Sequence, residues 1–531
     1  MQTRFQSLLS TTLVGALLLA SSHAQAFCGF FAGKADASLF NEASQVILVR
    51  DGKHSVISML NDFKGPLTDF ALVVPVPQVL EQGQVRIGDK RLFDRLDAYS
   101  APRLAEYYDP DPCPVGQQYY GLERSADAAM QAAPVASAPR MEKKSNKALG
   151  VTVEASYTVG EYDIVMLSAK QSNGLETWLL DNGYKMPKGA AAALKPYVAQ
   201  NMKFFVAKVN IEEQSKTGTQ YLRPLQFAFD SEKFMLPIRL GMINADPQKP
   251  QDLIAYVLTK KGRVESANYR TVKLPANENL PPAIKNNFSR FYKAMFDHQA
   301  KQENHRVVFT EYFWDMAWCD PCADDPLSRD ELHQAGVFWL DGDIDVQNST
   351  RRSNKMRPMP APNGGAQNAL LTRLHVRYTP KTFPEDLMFV QTADRQNWQT
   401  RYVVQNPFEG DLQVCREKAA SYSCENACRG YEVPRPYDDK KPDSYSQSCI
   451  QACRDNTRFA VEQARRYYET DLPQRQQTEL QTLTRYTGWG RQDAQRFVDG
   501  KPIVIDQKLP NSDNAQENTQ PKNKWWEKLF K

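Results

Sequence analysis

The sequence predicts an α+β protein with a mostly antiparallel β-sheet body and a disulfide-stapled α-helical hairpin near its C-terminus. Two observations lead to this expectation. Short runs of β-branched and aromatic residues, separated by turn residues, recur through residues 27–405, and this pattern is typical of sheet. From Asp411 onward helix-forming residues dominate, and two pairs of cysteines follow at a spacing of four.

The composition is that of a globular protein, with 41% hydrophobic and 24% charged residues. The net charge is +4. Arg4 is the one charged residue of the first 26, so the chain without them carries +4 − 1 = +3. Such a small excess of positive charge argues against a nucleic-acid partner, which requires a clustered basic face.

Residues 1–26 have the three parts of a signal peptide. Arg4 gives a basic start, residues 8–20 form an apolar run, and Ala24-Gln25-Ala26 matches the A-x-A cleavage pattern. The apolar run is too short to span a membrane, which takes about 20 residues. We therefore expect a periplasmic or secreted protein whose mature chain starts at Phe27; a short buried helix is the alternative.

Residues 27–120 predict an N-terminal β-rich domain. Strand-like runs at 45–50 and 54–60 flank Asp51-Gly52, which is a hairpin signal. A third strand at 69–74 is expected to end at Pro75, and a helix is expected at 90–98. Residues 121–149, rich in Ala, Ser and Pro, predict a linker or mobile loop.

Residues 150–405 predict an α+β domain, 406–500 a helical region, and 501–531 a polar tail with an amphipathic tip. Within the α+β domain, alternation and helical periodicity predict these elements: strands at 151–157, 163–167, 204–209, 225–229, 234–240, 253–258, 307–313, 373–378 and 387–391, and helices at 175–182, 190–200 and 287–301.

Four segments resemble a known family. They are Phe27-Cys28-Gly29-Phe30 with Lys34-Ala35-Asp36-Ala37, then residues 69–77, 318–322 and 372–378. Together they resemble a family of exported bacterial proteins catalogued as domain of unknown function 2330, over roughly residues 27–400. The resemblance implies an extracytoplasmic protein. Because the family has no established activity, it implies no catalytic residue.

The cysteines of the helical region predict disulfides. Cys424 and Cys428 lie one helical turn apart, as do Cys449 and Cys453, so two antiparallel helices would pair Cys424 with Cys453 and Cys428 with Cys449. A zinc site of four thiolates is the alternative, disfavoured by the spacing and by export. Cys415 would face away from this hairpin and pair within the β-rich body, with Cys28 or Cys113 as candidates.

The motif Trp318-Cys319-Asp320-Pro321-Cys322 follows a predicted strand, as a thioredoxin-type site does. Cys319 would be the nucleophile and Cys322 the resolving thiol of a thiol–disulfide oxidoreductase. Nearby acidic residues and the break at Pro326 argue against that role, because they disfavour a thiolate and a long following helix. A structural disulfide is therefore the favoured interpretation, and a metal site with His333 is a third.

Two weaker patterns suggest binding. Arg373, His375 and Arg377 alternate with apolar residues on a predicted strand and are anion-binding candidates, although a solvated sheet face is the commoner explanation. At the C-terminus, Trp525, Trp526, Leu529 and Phe530 lie among lysines, a pattern that suits contact with a membrane surface or a partner protein.

These observations favour a non-enzymatic binding or structural module of unknown ligand, with the oxidoreductase as the alternative. We expect no cofactor and no metal ion. The nucleotide-binding and hydrolase motifs G-x-G-x-x-G, G-x-x-x-x-G-K and G-x-S-x-G, together with the metalloprotease motif H-E-x-x-H, do not occur in the sequence.

Overall fold

The computed structural model describes residues 30–34, 40–64, 70–116, 151–185, 189–217, 222–244, 250–318, 324–342, 368–428 and 443–501. The predicted signal peptide, the predicted linker, Cys28, the Cys319–Cys322 motif and the tip of the C-terminal tail lie outside these residues. The predictions made for them are therefore not addressed by the fold.

The strands are, in chain order, β1 (Phe30–Lys34), β2 (Phe40–Asp51), β3 (His54–Lys64), β4 (Phe70–Val76), β5 (Val85–Ile87), β6 (Arg103–Tyr108), β7 (Val151–Val159), β8 (Tyr162–Ala169), β9 (Tyr184–Lys185), β10 (Lys203–Val209), β11 (Leu225–Asp230), β12 (Met235–Leu236), β13 (Gln251–Thr259), β14 (Val264–Ser266), β15 (Arg270–Lys273), β16 (Asn279–Leu280), β17 (Val307–Asp315), β18 (Leu370–Tyr378), β19 (Leu387–Gln391), β20 (Trp398–Gln399) and β21 (Arg401–Asn406).

The α-helices are α1 (Lys90–Ser100), α2 (Ser172–Asp181), α3 (Ala190–Ala199), α4 (Ile211–Lys216), α5 (Phe288–Gln302), α6 (Arg329–Ala335), α7 (Leu412–Ser421), α8 (Cys424–Ala427), α9 (Asp443–Arg466), α10 (Leu472–Thr487) and α11 (Arg491–Val498). A π-helical turn, Tyr467–Asp471, joins α9 to α10. The predicted α+β class is confirmed.

Two large sheets form the body. The first sheet has the strand order β7-β8-β10-β4-β1-β9, and all its pairs are antiparallel. The second sheet has the order β15-β17-β18-β13-β2-β3-β11-β5, with β20 beside β17, and contains two parallel pairs, β2 with β13 and β15 with β17. Two small sheets, β12-β19-β14 and β16-β21-β6, flank them.

The sheets pack face to face, and helices cover their outer faces. In β2, Val46 and Leu48 lie in the core between the sheets, while Ile47 and Val49 lie in a second core under α1 and α6. Because both faces of this strand are buried, it is a continuous apolar run rather than an alternating one. Helices α2 and α3 cover the first sheet, and α5, α10 and α11 cover another part of the second.

The strands of residues 27–120 and of 150–405, predicted as separate domains, interleave in both large sheets. Strands β1 and β4 pair with β9 and β10, and β2 and β3 pair with β13 and β11. The two ranges therefore share one core. The β2–β3 hairpin has the predicted turn, with Asp51 opposite His54 and Gly52 at φ +58°, where glycine is favoured.

Two strand predictions differ from the fold at prolines. The strand predicted at 234–240 is reduced to β12, because Pro237 has no N–H to donate to a neighbouring strand. The strand predicted to end before Pro75 continues to Val76 as β4. Within it, Pro75 lies opposite Phe204 of β10.

Helices α7 to α11 form a helical unit at the side of the body. Leu483 and Tyr486 of α10 and Phe497 of α11 pack with Phe291 of α5 in one apolar cluster. The disulfide Cys113–Cys415 and the ion pair of Lys418 with Asp111 attach α7 to the segment that follows β6. The helical unit is therefore fixed to the body at both of its ends.

Candidate functional site

The predicted hairpin disulfides are confirmed. Cys424 is bonded to Cys453 and Cys428 to Cys449, with Cα–Cα distances of 5.7 and 6.0 Å. Cys415 lies apart from them and is bonded to Cys113 of the body, one of the two partners that the sequence suggested. These six cysteines are structural, because each is committed to a bond that holds two segments together.

The sheet face of Arg373, His375 and Arg377, expected to lie in solvent, is covered: Arg373 and His375 are buried and Arg377 is partly exposed. Arg373 is 1% exposed and His375 5%. The expectation of a solvated face is wrong because α1 and α5 cover this part of the second sheet, which the alternation of β18 alone does not reveal. Anion binding by these side chains stays a prediction; the anions that they hold in the structure are carboxylates of the same chain.

Glu311 of β17 is the centre of this buried group. Arg373 Nε donates to Glu311 Oε2 at 2.6 Å, and His375 Nδ1 donates to Oε1 at 2.6 Å. The hydroxyl of Tyr292, from α5, donates to the same Oε1. One carboxylate thus accepts three hydrogen bonds, two of them from cationic side chains, which is the arrangement that makes a buried charge tolerable.

The group extends in both directions along the sheet. Arg373 Nη1 lies 2.6 Å from Asp97 Oδ1 of α1, which also accepts from Tyr256 Oη at 2.9 Å. At the other end, Arg377 donates twice to Asp252, at 2.7 Å each, and once to Asp297 of α5. We call Asp97, Asp252, Tyr256, Tyr292, Glu311, Arg373, His375 and Arg377 the charge cluster.

Opposite charges decide the protonation states here. Burial acts to raise the pKa of Glu311, but the cations of His375 and Arg373 outweigh it and hold that pKa at about 2. Burial acts to lower the pKa of His375, but Glu311 and Asp252 outweigh it and raise that pKa. Both neighbouring carboxylates therefore favour the charged imidazolium, and Nε2 lies 3.4 Å from Asp252 Oδ1.

The charge cluster is closed rather than open to a ligand. The ring of Phe296 stacks on His375 at 3.9 Å between centroids, and the guanidinium of Arg377 lies 4.7 Å from the same ring centroid. Among the described residues, no three His, Cys, Asp or Glu side chains are arranged to hold a metal ion. The charge cluster joins the second sheet to α1 and α5.

A cleft between the two large sheets is the more open feature. Its volume is about 320 Å³, at the lower end of the range for small-molecule sites. It is lined by residues of β3, β4, β11 and β12, by the loop between β11 and β12, and by the residues just before β10. Its buried wall is apolar: Ile57, Met59, Val74, Pro75, Met202, Phe227, Phe229, Leu236 and Pro237.

Polar residues lie at the exposed mouth of the cleft. They are Gln200 after α3 and the loop Asp230-Ser231-Glu232-Lys233 after β11. Lys233 Nζ donates to Gln200 Oε1 at 2.7 Å, so the hydrogen bond crosses between the two segments. Asp230 accepts from His54 Nδ1 at 2.6 Å, and Lys53 Nζ lies 3.9 Å away.

Arg50 holds the loop at the mouth in place. This side chain is 6% exposed and donates to the carbonyl of Ser231 at 2.8 Å and to Ser55 Oγ at 2.7 Å. Its guanidinium also lies 5.3 Å from the ring centroid of Phe234. The backbone of this loop is therefore held by a buried cation.

Sequence reasoning missed this cleft because its wall comes from four distant segments. Val74-Pro75-Val76-Pro77 lies in one of the segments that carry the family resemblance, and this is the one signal that pointed to part of it. The methionines and phenylalanines look like ordinary core residues in the sequence. That they leave a cavity depends on how these four segments pack together.

The two remaining predicted sites cannot be placed. Cys319 and Cys322 lie outside the described residues, as do Trp525, Trp526, Leu529 and Phe530, so redox activity and membrane contact stay predictions. Trp318, the last described residue before the cysteine motif, is 67% exposed, and its carbonyl accepts from Trp314 Nε1 at 3.0 Å.

A comparison with known protein families shows which family the chain belongs to. The sequence model of a family described as uncharacterized protein conserved in bacteria (DUF2330) matches residues 22–390. The chain belongs to this family. The match includes the cleft and the charge cluster, whereas the disulfide-stapled hairpin follows it in the sequence. No curated protein and no solved structure matches the chain.

Helices that could cross a membrane were also sought. Within the ranges that the structure describes, no helix is both long enough and apolar enough to do so.

Proposed function

We propose that this protein is an exported, non-enzymatic binding protein that takes a small ligand into the cleft. The observation that carries the proposal is a cavity of about 320 Å³ with an apolar wall and a polar mouth, set between two sheets. Ligand sites are commonly concave and mostly apolar, with few polar groups to orient the ligand.

The charge cluster supports the binding function less well. Glu311 already accepts from Arg373 and His375, and Phe296 covers His375. A ligand would have to displace carboxylates of the same chain. The cleft requires no such exchange, because its open volume is already present.

Export is supported by two independent features. Residues 1–26 have the pattern of a cleavable signal, and three disulfides occur among the described residues. Disulfides persist in oxidising compartments and are rare where thiols are kept reduced. The proposal therefore places the protein in the periplasm or outside the cell.

Binding can be tested with N-phenyl-1-naphthylamine, a neutral dye that fluoresces in apolar sites. We expect the full mature protein to bind one dye molecule with saturable fluorescence. Met202→Trp should reduce this binding at least tenfold, because the larger ring fills the cleft from its wall. Leu180→Trp, at an exposed position on α2, is the matched control and should bind as the wild type does.

Two results would overturn the binding proposal. One is the absence of saturable dye binding to a protein that is folded by circular dichroism. The other is equal binding by Met202→Trp and Leu180→Trp, provided that both variants unfold at temperatures close to that of the wild type.

Export can be tested by expressing the full chain in a bacterium and fractionating the cells. We expect the protein outside the cytoplasm with Phe27 as its first residue in mass spectrometry, and with the described disulfides oxidised. Uncut protein in the cytoplasm, with Cys424 and Cys453 both alkylated as free thiols, would contradict export.

A further inference from the structure

We infer that the ligand of the cleft is a single flexible apolar chain of roughly ten carbons with an anionic end group. The inference rests on the proposed function, which names the cleft as the binding site. It is drawn from the polarity of the wall, the residue types in it, the volume, and the charges at the mouth.

The apolar wall of the cleft favours a ligand whose main part is apolar. Some buried side-chain polar atoms of the described residues lack a hydrogen-bond partner, but none of them belongs to a residue that lines the cleft. A ligand with polar groups along its length would therefore lose hydrogen bonds to water and find no replacement inside. Its polar part belongs at the mouth.

Methionine is prominent in this wall. Met59, Met202 and Met235 line the cleft together with Phe227 and Phe229. Methionine side chains are unbranched and adjust their rotamers to the shape beside them. Such a wall fits a chain that has many conformers better than a rigid ring system, which would need one fixed shape.

The volume of the cleft limits the length of the ligand chain. About 320 Å³ is room for roughly ten groups of the size of a water molecule, at about 30 Å³ each. A methylene group is of similar size, so one chain of about ten carbons fills the cavity. Two such chains, as in a two-chain lipid, would not fit.

The mouth carries two carboxylates, Asp230 and Glu232, against three cations: Lys233 in the mouth itself, and Arg50 and Lys53 beside it. This balance favours a negative end group. The carboxylate of Asp230 is already held by His54 and lies near Lys53. Lys233 differs, because its described hydrogen bond goes to the neutral amide of Gln200. An ammonium group has three donors, and so Lys233 can also bind an anion that emerges from the cleft.

A series of straight-chain carboxylates tests the length. Hexanoate, octanoate, decanoate and tetradecanoate would each compete with N-phenyl-1-naphthylamine below their micelle concentrations. We expect affinity to rise by about fourfold per methylene, the usual gain on burying this group, and to stop rising near ten carbons. A decanoyl lysophospholipid with an anionic head group would show whether the chain comes from a free acid or from a lipid.

Lys233→Gln tests the end group. We expect it to weaken decanoate binding about two- to fivefold, the range for an exposed ion pair, and to leave decanol binding unchanged. Lys216→Gln is the matched control, since Lys216 is exposed and pairs with Glu213 within α4. Equal effects of the two variants, or an equal loss of decanol binding, would overturn the anionic end group.

The outcomes separate this inference from the proposed function. Dye binding that Met202→Trp abolishes, combined with no displacement by any carboxylate, would refute the chain ligand and leave the binding function standing. Absence of both dye and carboxylate binding would refute the proposed function itself. Affinity that keeps rising by the same factor per methylene from decanoate to tetradecanoate would refute the length limit.

Discussion

Glu311 is the residue on which the covered face of the second sheet depends. It is 1% exposed and accepts hydrogen bonds from Arg373, His375 and Tyr292. A buried ion pair is weak evidence for stability as such, since desolvation offsets most of its attraction. Removal of one partner is strongly destabilising, because it leaves a cation buried without its counterion.

Glu311→Gln should therefore lower the free energy of unfolding by roughly 3–5 kcal/mol, the usual cost of breaking a buried pair. Urea unfolding followed by circular dichroism measures this change. Asp297→Asn is the control: Asp297 pairs with Arg377, but its side chain is 42% exposed, so its loss should cost less than about 1 kcal/mol. Equal losses in the two variants would contradict the central place of Glu311.

His375 gives the charge cluster a pH dependence. Its pKa is raised above the ordinary 6.5 by Glu311 and Asp252, which outweigh the effect of burial. The stability that the imidazolium contributes is complete below about pH 6.5 and is lost as the pH rises through the raised pKa. The difference in unfolding free energy between wild type and His375→Gln should therefore shrink from pH 6 upward, and a growing difference would refute the assignment.

The sequence correctly predicted which residues of β18 share a face of the sheet, but not which elements cover the polar face. The alternation of Arg373, His375 and Arg377 with Leu374 and Val376 was correct, and the latter two lie in the core between the sheets. The carboxylates that pair with the cations come from α1, β13, β17 and α5. No local pattern can show that these elements meet, because burial depends on contacts between distant segments.

At the level of elements, short-range sequence patterns predicted the hairpin disulfides and the turn at Gly52. The pairing of strands that are distant in sequence was not predictable. The disulfides of the hairpin were predictable because a spacing of four fixes both cysteines of each pair on one side of a helix. The turn at Gly52 was predictable for a similar reason. Strand order was not, since β2 lies beside β13 in parallel, a pairing that bridges about 200 residues of sequence.

Loss of one hairpin disulfide should destabilise the helical unit. Replacing both Cys428 and Cys449 by alanine removes the inner bond and should cost about 2–4 kcal/mol of unfolding free energy. Urea unfolding of the oxidised proteins gives the value, and wild-type protein treated with reductant is the comparison. A double variant as stable as the oxidised wild type would show that the bond contributes nothing to stability.

Glu479 makes the junction between helical unit and body sensitive to pH. Burial raises its pKa to about 7, with a further contribution from Asp109, although Arg475 acts in the opposite direction. Arg475 is shared, since it donates to both oxygens of Asp109 at 2.9 and 2.7 Å and lies 3.3 Å from Glu479. Asp109 also accepts from Tyr467 in the π-helical turn.

A carboxyl with a raised pKa stabilises the fold while it is protonated. The stability from Glu479 is complete below about pH 4.5 and is lost as the pH rises to about 7. Glu479→Gln should remove this fall and exceed the wild type in unfolding free energy by about 1–3 kcal/mol at pH 8. The same pH profile in variant and wild type would contradict the assignment.

At the scale of the whole molecule, the fold is four layers: helices, first sheet, second sheet, helices. Strands from residues 27–120 and 150–405 build both sheets, so the division suggested by composition around residues 121–149 does not separate two cores. The cleft is a consequence of this layering. Residues of both sheets line it, and a property of that kind has no signature in any one segment.

The central claim is that the cleft is the place where this protein binds a ligand. Hydrogen–deuterium exchange, measured by mass spectrometry on the mature oxidised protein with and without N-phenyl-1-naphthylamine, tests it directly. We expect slower exchange in peptides that cover residues 200–202 and 227–237, and no change in the helical unit at 412–498. Slower exchange confined to the helical unit, or none anywhere at saturating dye, would contradict the claim.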